Sequence, residues 1–221
     1  MRVVVAGGHG KIALRLERLL SARADQVVGL IRDPGQADDL AQVGAESQVV
    51  DLENSTAEQV ANHLRGATAV VFAAGAGPGS GAARKETVDY GAAVLLADAA
   101  ARAGVRRYLL VSAMGVDSEP RQDTEEVFAA YLRAKRAAER DLADRELDLT
   151  VLRPGLLTDD AGTGQVTLAP SVERAEVTRD DVALVLLALL DEPNTIGLTL
   201  ELVNGDVSVD VAVASAAAGG T

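Results

Sequence analysis

Val3-Val4-Val5-Ala6-Gly7-Gly8-His9-Gly10-Lys11-Ile12-Ala13 decides the fold. An apolar, β-branched run stops at glycines, and an amphipathic pattern starts at once. That order reads as strand, tight turn, helix. Gly7, Gly10 and Ala13 fall at the spacing G-x-x-G-x-x-A. A turn this tight needs backbone angles that glycine reaches without steric cost. A bare Gly10 lets a pyrophosphate approach the backbone, and a small Ala13 lets the helix lie close to the strand. The helix start offers unpaired N–H groups and a positive dipole end to an anion. Gly7, Gly8, His9, Gly10, Lys11 and Ile12 are therefore the candidate cradle for a dinucleotide.

Working outward, strand and helix patterns alternate along all 221 residues. Strands are expected at 2–6, 26–31, 47–51, 69–74, 107–112, 148–152 and 198–203, with a short one at 172–177. Helices are expected at 10–23, 34–40, from Ser55 to about 66, at 86–103, at 125–143 and from Thr178 to 190. Ser55 with Glu58 reads as a capping box. Such alternation predicts an α/β, Rossmann-type, doubly wound and mainly parallel sheet. No linker separates domains, so 1–221 is expected to form one domain with a small C-terminal substrate region. The loops 75–81, 113–124 and 155–169 all follow strand C-termini, where an open α/β sheet forms its ligand crevice. Segments 113–130, 155–177 and 204–221 are the expected substrate side. The tail after Val207 alternates like a strand, yet its alanines also suit a helix.

Composition narrows the function. Aromatic residues make up only 2%, which leaves the core to Val, Leu, Ile and Ala, the palette of strands buried on both faces. A net charge of −12 repels a phosphate backbone, so no nucleic-acid partner is expected. The absence of cysteine excludes disulfides, thiolate metal sites and a cysteine nucleophile. His9 and His63 stand too far apart to suggest an imidazole metal cluster, so no metal is expected. The apolar run 182–190 is too short to cross a bilayer. The first strand begins at residue 2, so no signal peptide and a cytoplasmic location are expected.

The nature of the dinucleotide turns on the end of the second strand. An NAD site usually carries an acidic residue there for the ribose 2′-OH. Here Arg32 stands at that place, and a guanidinium pairs with a 2′-phosphate. NADP is therefore expected ahead of NAD, with Asp33 as the ribose acceptor in the other register. Asp51 and Leu52 flank the expected adenine position, Asp51 accepting from the amino group. Ala73, Ala74 and Gly75 are small enough for a flat cofactor to pass over them.

Tyr131-Leu132-Arg133-Ala134-Lys135 is the candidate catalytic element. Positions four apart share one helix face. An ammonium beside a tyrosine favours the phenolate and is expected to lower its pKa. Ser112, closing the fifth strand, is placed to hydrogen-bond a substrate carbonyl.

The ordered set Gly7-x-x-Gly10-x-x-Ala13, Arg32, Asp51-Leu52, Ser112, Tyr131-x-x-x-Lys135 and Arg153-Pro154-Gly155 resembles the short-chain dehydrogenase/reductase superfamily. The glycine spacing, the short length and the Arg-Pro-Gly are similar to its atypical branch of NAD(P)-binding epimerases and reductases, related to biliverdin/flavin reductases and NmrA-like proteins. The resemblance covers about residues 2–203. It implies Tyr131 as proton donor, Lys135 as the holder of the nicotinamide ribose and Ser112 as substrate orienter. It also implies cofactor contacts from Val111, Lys135, Pro154, Gly155 and Leu156. Two features depart from the family pattern. Asp89 stands where an asparagine is usual, and the gap from Ser112 to Tyr131 is long.

Three functions follow from the resemblance. The first is an NADP-dependent oxidoreductase for a small carbonyl, flavin or quinone-like substrate. The second is a non-catalytic NADP(H)-binding redox sensor. The third is a sugar-nucleotide epimerase, ranked lower because few residues follow the sixth strand. The superfamily supports several oligomeric states, a homodimer among them.

Overall fold

The computed structural model describes residues 1–77, 79–120 and 124–219; Pro78, residues 121–123 and residues 220–221 lie outside it, and with them parts of the predicted loops 75–81 and 113–124 and of the tail. Its centre is β1 (Arg2–Ala6), which is almost fully buried. Successive side chains of a strand point to opposite faces. Val3 and Val5 accordingly enter one apolar layer, and Val4 and Ala6 the other. A strand buried on both faces needs helices on both sides, and parallel pairing with crossover helices supplies them.

The chain continues through α1 (Lys11–Ala22), β2 (Gln26–Ile31), α2 (Ala37–Gln42), β3 (Glu46–Val49), α3 (Ala57–Leu64) and β4 (Ala69–Phe72). Then come α4 (Ala82–Arg84), a π-wound stretch Lys85–Ala92, α5 (Ala93–Ala103), β5 (Arg107–Val111), α6 (Glu126–Ala143) and β6 (Asp148–Pro154). The last part holds β7 (Leu156–Thr158), β8 (Gln165–Ala169), β9 (Glu176–Thr178), α7 (Arg179–Asp191), β10 (Thr199–Asn204), β11 (Val207–Ser208) and α8 (Val209–Gly219). The main sheet runs β3-β2-β1-β4-β5-β6-β10-β8-β11. It is parallel from β3 to β10, and β8 turns antiparallel against β10 and β11. One layer is filled from α1, α2, α7 and α8, the other from α3, α5 and α6. This is a single Rossmann-type, doubly wound domain. The direction of winding reverses between β1 and β4, which opens a crevice at their C-terminal ends. Among the described residues no helix is long and apolar enough to cross a membrane.

Several local expectations need correction. The α3 capping box is built on Thr56 and Gln59, not Ser55 and Glu58. The Ser55 N–H is already taken by the Asp51 carbonyl at 2.9 Å, so the turn runs one residue further. The long helix after β4 begins at Ala82 and is π-wound over its middle rather than α-helical from residue 86. β6 does not break before Arg153 but runs to Pro154, whose carbonyl accepts from Met114 N at 3.2 Å. The stretch 155–169, which showed no period, contains β7 and β8. The strand expected at 172–177 is the three-residue β9, paired with β7. The tail satisfies both of its readings in turn, as β11 and then α8.

Candidate functional site

Gly7 takes φ +80°, and a Cβ there would lie 2.6 Å from the Ala74 Cα. Both facts demand glycine, since the obstructing atom is backbone. Gly10 N donates to the Gly7 carbonyl at 2.8 Å and closes the turn. Gly10 also caps α1, where it offers no side-chain acceptor to the first-turn N–H groups. Gly8 faces inward: a Cβ there would meet the Gly29 Cα at 2.7 Å. Gly8 thus lets the turn pack on β2.

A cleft of about 270 Å³ opens above this turn. Of the predicted cofactor residues, Gly7, His9, Gly10, Arg32, Asp51, Leu52, Ala73, Ala74 and Gly75 line it. His9 Nε2 and Asp39 Oδ2 lie 2.7 Å apart beside the turn. Both Asp51 carboxylate oxygens are engaged in their own turn, accepting from Glu53 N at 3.0 Å and Asn54 Nδ2 at 2.8 Å. These bonds, Asn54 first, hold its pKa below the ordinary value. Asp33 accepts from Gly35 N at 2.9 Å and caps the next turn.

Past Gly75 the cleft gives way to a second cavity of about 550 Å³, lined by Gly77, Gly79, Ser80, Gly81, Lys85, Glu125, Val127, Phe128 and Tyr131. Next to it lies a buried polar cluster. The Lys135 ammonium donates to the Val111 carbonyl at 3.0 Å and pairs with Asp89 Oδ1 at 3.4 Å. The other Asp89 oxygen accepts from Ala76 N at 3.2 Å. Burial lowers the Lys135 pKa, while the Asp89 charge works against that fall. Lys135 Nζ stands 5.9 Å and Lys85 Nζ 5.5 Å from the Tyr131 ring centroid. Lys85 also donates to the Gly77 carbonyl at 3.0 Å. Ser112 is buried beside Val111, and its hydroxyl has no partner among the described residues.

One electrostatic expectation is reversed here. The Tyr131 pKa is pushed up from its ordinary value, first by burial and then by the Asp89 charge. The ammonium that was expected to lower it is paired with that same carboxylate.

A family profile described as NAD(P)H-binding matches residues 7–193. The chain belongs to the NAD(P)H-binding family. A Bacillus subtilis (strain 168) relative, "Uncharacterized sugar epimerase YhfK", is 35% identical over 95% of this chain and 97% of its own. A solved Bacillus halodurans structure with the provisional name NAD-dependent epimerase/dehydratase superposes with a TM-score of 0.89. It shares 34% identity over 97% of this chain and 99% of that one. ChuY, an anaerobillin reductase of Escherichia coli O157:H7, superposes with a TM-score of 0.79 at 29% identity, over 94% and 99% of the two chains. The likeness supports the atypical dehydrogenase/reductase branch.

The nucleotide of the NAD(P)H-binding family fits this cleft. The side-chain-free glycine turn packed on the Ala74 backbone, the small Ala73-Ala74-Gly75 floor and the Arg32 guanidinium are its observed features. Eight predicted cofactor residues stand outside the cleft lining: Gly8, Lys11, Ile12, Val111, Lys135, Pro154, Gly155 and Leu156. Lys11 pairs with Asp159, and Ile12 packs against the core. Pro154 is buried in β6, Leu156 is exposed, and a Cβ on Gly155 would meet the Ala175 carbonyl oxygen at 2.1 Å. Val111 meets Lys135 through its carbonyl. The sequence reading missed Glu53, Arg84 and Lys85, which the fold brings to the site from different elements. Arg153 is likewise committed elsewhere, its Nε donating to the buried Glu139 at 3.0 Å.

Proposed function

We propose that this protein is an NADP-dependent reductase of a small carbonyl, flavin or quinone-like substrate. The observation that carries the reading is the buried, unpartnered Ser112 hydroxyl, next in sequence to Val111, whose carbonyl holds the Lys135 ammonium. Gly7, His9 and Gly10 line the cradle for the phosphates, with Gly8 packing the turn on β2 and Lys11 and Ile12 opening the helix behind it. Arg32 at the rim favours NADP over NAD, and Asp33 is occupied by Gly35. The bound nicotinamide supplies the hydride. Ser112 donates to the substrate oxygen and steadies the charge that grows there. Tyr131 keeps its proton at neutral pH, as a tyrosine ordinarily does, and burial with the Asp89 charge raises its pKa further. A neutral phenol is the form that can donate to an oxyanion. Lys135, held by Val111 and Asp89, keeps a positive charge near that transfer. Val111, Pro154, Gly155 and Leu156 belong to the nicotinamide side. The substrate side is built by the segments 113–130, 155–177 and 204–221 as far as they are described.

The test follows the loss of reduced-nicotinamide absorbance from NADPH and NADH against a panel of flavins, quinones and dicarbonyls. Sugar nucleotides join the panel because the Bacillus subtilis relative is named a sugar epimerase. Tyr131→Phe should lower turnover by at least about tenfold, with NADPH binding retained by calorimetry. An unchanged rate overturns the role of Tyr131. A second reading, a redox sensor that binds NADP(H) without turnover, is favoured by the Asp89–Lys135 pair, which offsets the charge that would activate Tyr131. NADPH binding without oxidation across the whole panel decides for the sensor.

A further inference from the structure

The rim of the cleft carries a convergence of charges that the cofactor reading leaves unused. Glu53 Oε2 accepts from Arg32 Nη1 at 3.1 Å, from Arg84 Nη2 at 2.8 Å and from Arg84 Nε at 3.3 Å. Its Oε1 accepts from Thr87 Oγ1 at 2.7 Å. The donors come from three places: just beyond β2, the end of α4, and the π-wound stretch. Arg32, Glu53 and Arg84 all line the cleft. Two guanidiniums and a hydroxyl directed at one oxyanion are the donor set that a phosphomonoester takes. In the free protein a side chain of the same chain occupies them.

We propose that Glu53 is an internal competitor for the 2′-phosphate of NADP, and that Arg84 joins Arg32 as a ligand of that phosphate once Glu53 yields them. Glu53 thereby sets how strongly NADP is preferred over NAD. The inference rests on the NADP reading above and deepens it. Its physical basis is charge. The two guanidiniums and Glu53 leave a net single positive charge among themselves, which the nearby Asp51 carboxylate lowers further. A phosphomonoester brings nearly two negative charges near neutral pH. With Glu53 in place it meets a rim that is already half neutralised, and it must also displace a bonded carboxylate. The ribose 2′-OH of NAD carries no charge, so it neither needs the guanidiniums nor meets that repulsion. Removing the Glu53 charge therefore acts on one nucleotide and spares the other.

The experiment is calorimetric titration of the full chain with NADP and with NAD, in the wild type, Glu53→Gln, Arg84→Met and the double variant. Thermal melts establish that each is folded. Glu53→Gln should tighten NADP by about tenfold, the effect of one charge-assisted hydrogen bond, and move NAD by less than about threefold. Arg84→Met should weaken NADP by about tenfold and leave NAD nearly unchanged. The gain from Glu53→Gln should shrink when Arg84 is also absent, because the two residues act through one contact. Weaker NADP binding in Glu53→Gln, or equal shifts for both nucleotides, overturns the proposal. An unchanged NADP-to-NAD ratio in Arg84→Met overturns it as well, and that variant decides alone should Glu53→Gln fail to fold. If the wild type binds neither nucleotide, the NADP reading falls and takes this inference with it. If it binds either one, the variants judge the Glu53 competition alone.

Discussion

Replacing Glu17 by glutamine should make the protein more stable at neutral pH, and the gain should vanish in mild acid. Glu17 lies on α1 with no exposed surface, and neither carboxyl oxygen has a partner among the described residues. It sits beneath the glycine turn, where its Oε1 lies 3.0 Å from a Cβ built on Gly8 and 2.6 Å from one built on Gly29. Burial raises its pKa from 4.5 to about 8. Below pH 4.5 the folded and unfolded chains both hold the proton, so nothing is lost. Between 4.5 and 8 the folded chain keeps a proton that the unfolded chain has released. Stability then falls with rising pH by about 1.4 kcal/mol per pH unit. At pH 7 the accumulated loss is about 3 kcal/mol. Glutamine keeps the shape and has no proton to lose. Urea denaturation of both proteins from about pH 5 to pH 8 measures the difference. It should be small at the acid end and grow steadily towards pH 8. A difference that stays constant across the range would refute the assignment of Glu17 as a buried neutral acid.

Gly7→Ala should abolish nucleotide binding and cost roughly 2 kcal/mol or more of stability, because the added Cβ meets Ala74 backbone at a positive φ; calorimetry and urea melts check both. Glu139→Ala leaves the buried Arg153 guanidinium with the half of its pairing that Asp117 supplies. The expected destabilisation is about 3 kcal/mol, read from denaturant midpoints. Tyr108→Phe removes the hydroxyl that donates to the Ala93 carbonyl at 3.0 Å in the core. It should cost about 1 kcal/mol with no change in nucleotide affinity.

The glycine cleft was legible in the sequence because its parts are local. Gly7, Arg32, Asp51 and Ala73 each lie within two residues of a strand end, and parallel strands bring their C-terminal ends together once the order around β1 is known. The rim was not legible. Glu53, Arg84 and Thr87 meet only because a loop after β3 and a helix after β4 face each other across the cleft. No spacing rule encodes that distance. The Tyr131 error has the same origin. The spacing to Lys135 was visible, but the buried Asp89 that claims the ammonium stands on another element. β7 escaped notice and β9 was expected too early, at 172–177, because each has three residues, too few to show a period, and each is defined only by the other. The tail was readable as strand or helix because it contains both, and the switch falls between Ser208 and Val209.

One stretch joins the two cavities. Arg84 and Thr87 reach Glu53 at the cofactor rim, and Val88 and Ala92 form part of the cleft wall. Lys85 reaches the Gly77 carbonyl and the Tyr131 ring, and Asp89 reaches Ala76 N and Lys135 beside the second cavity. Nearest neighbours in sequence thus serve opposite sides of one wall. An α-helix places residues three and four apart on one face, and the π winding of Lys85–Ala92 widens each turn. The single rod presents side chains to the glycine-lined cleft and to the buried Asp89–Lys135 cluster. The same rod pins the glycine-rich loop through Ala76 and Gly77. Changes in this segment are therefore expected to reach both cavities at once.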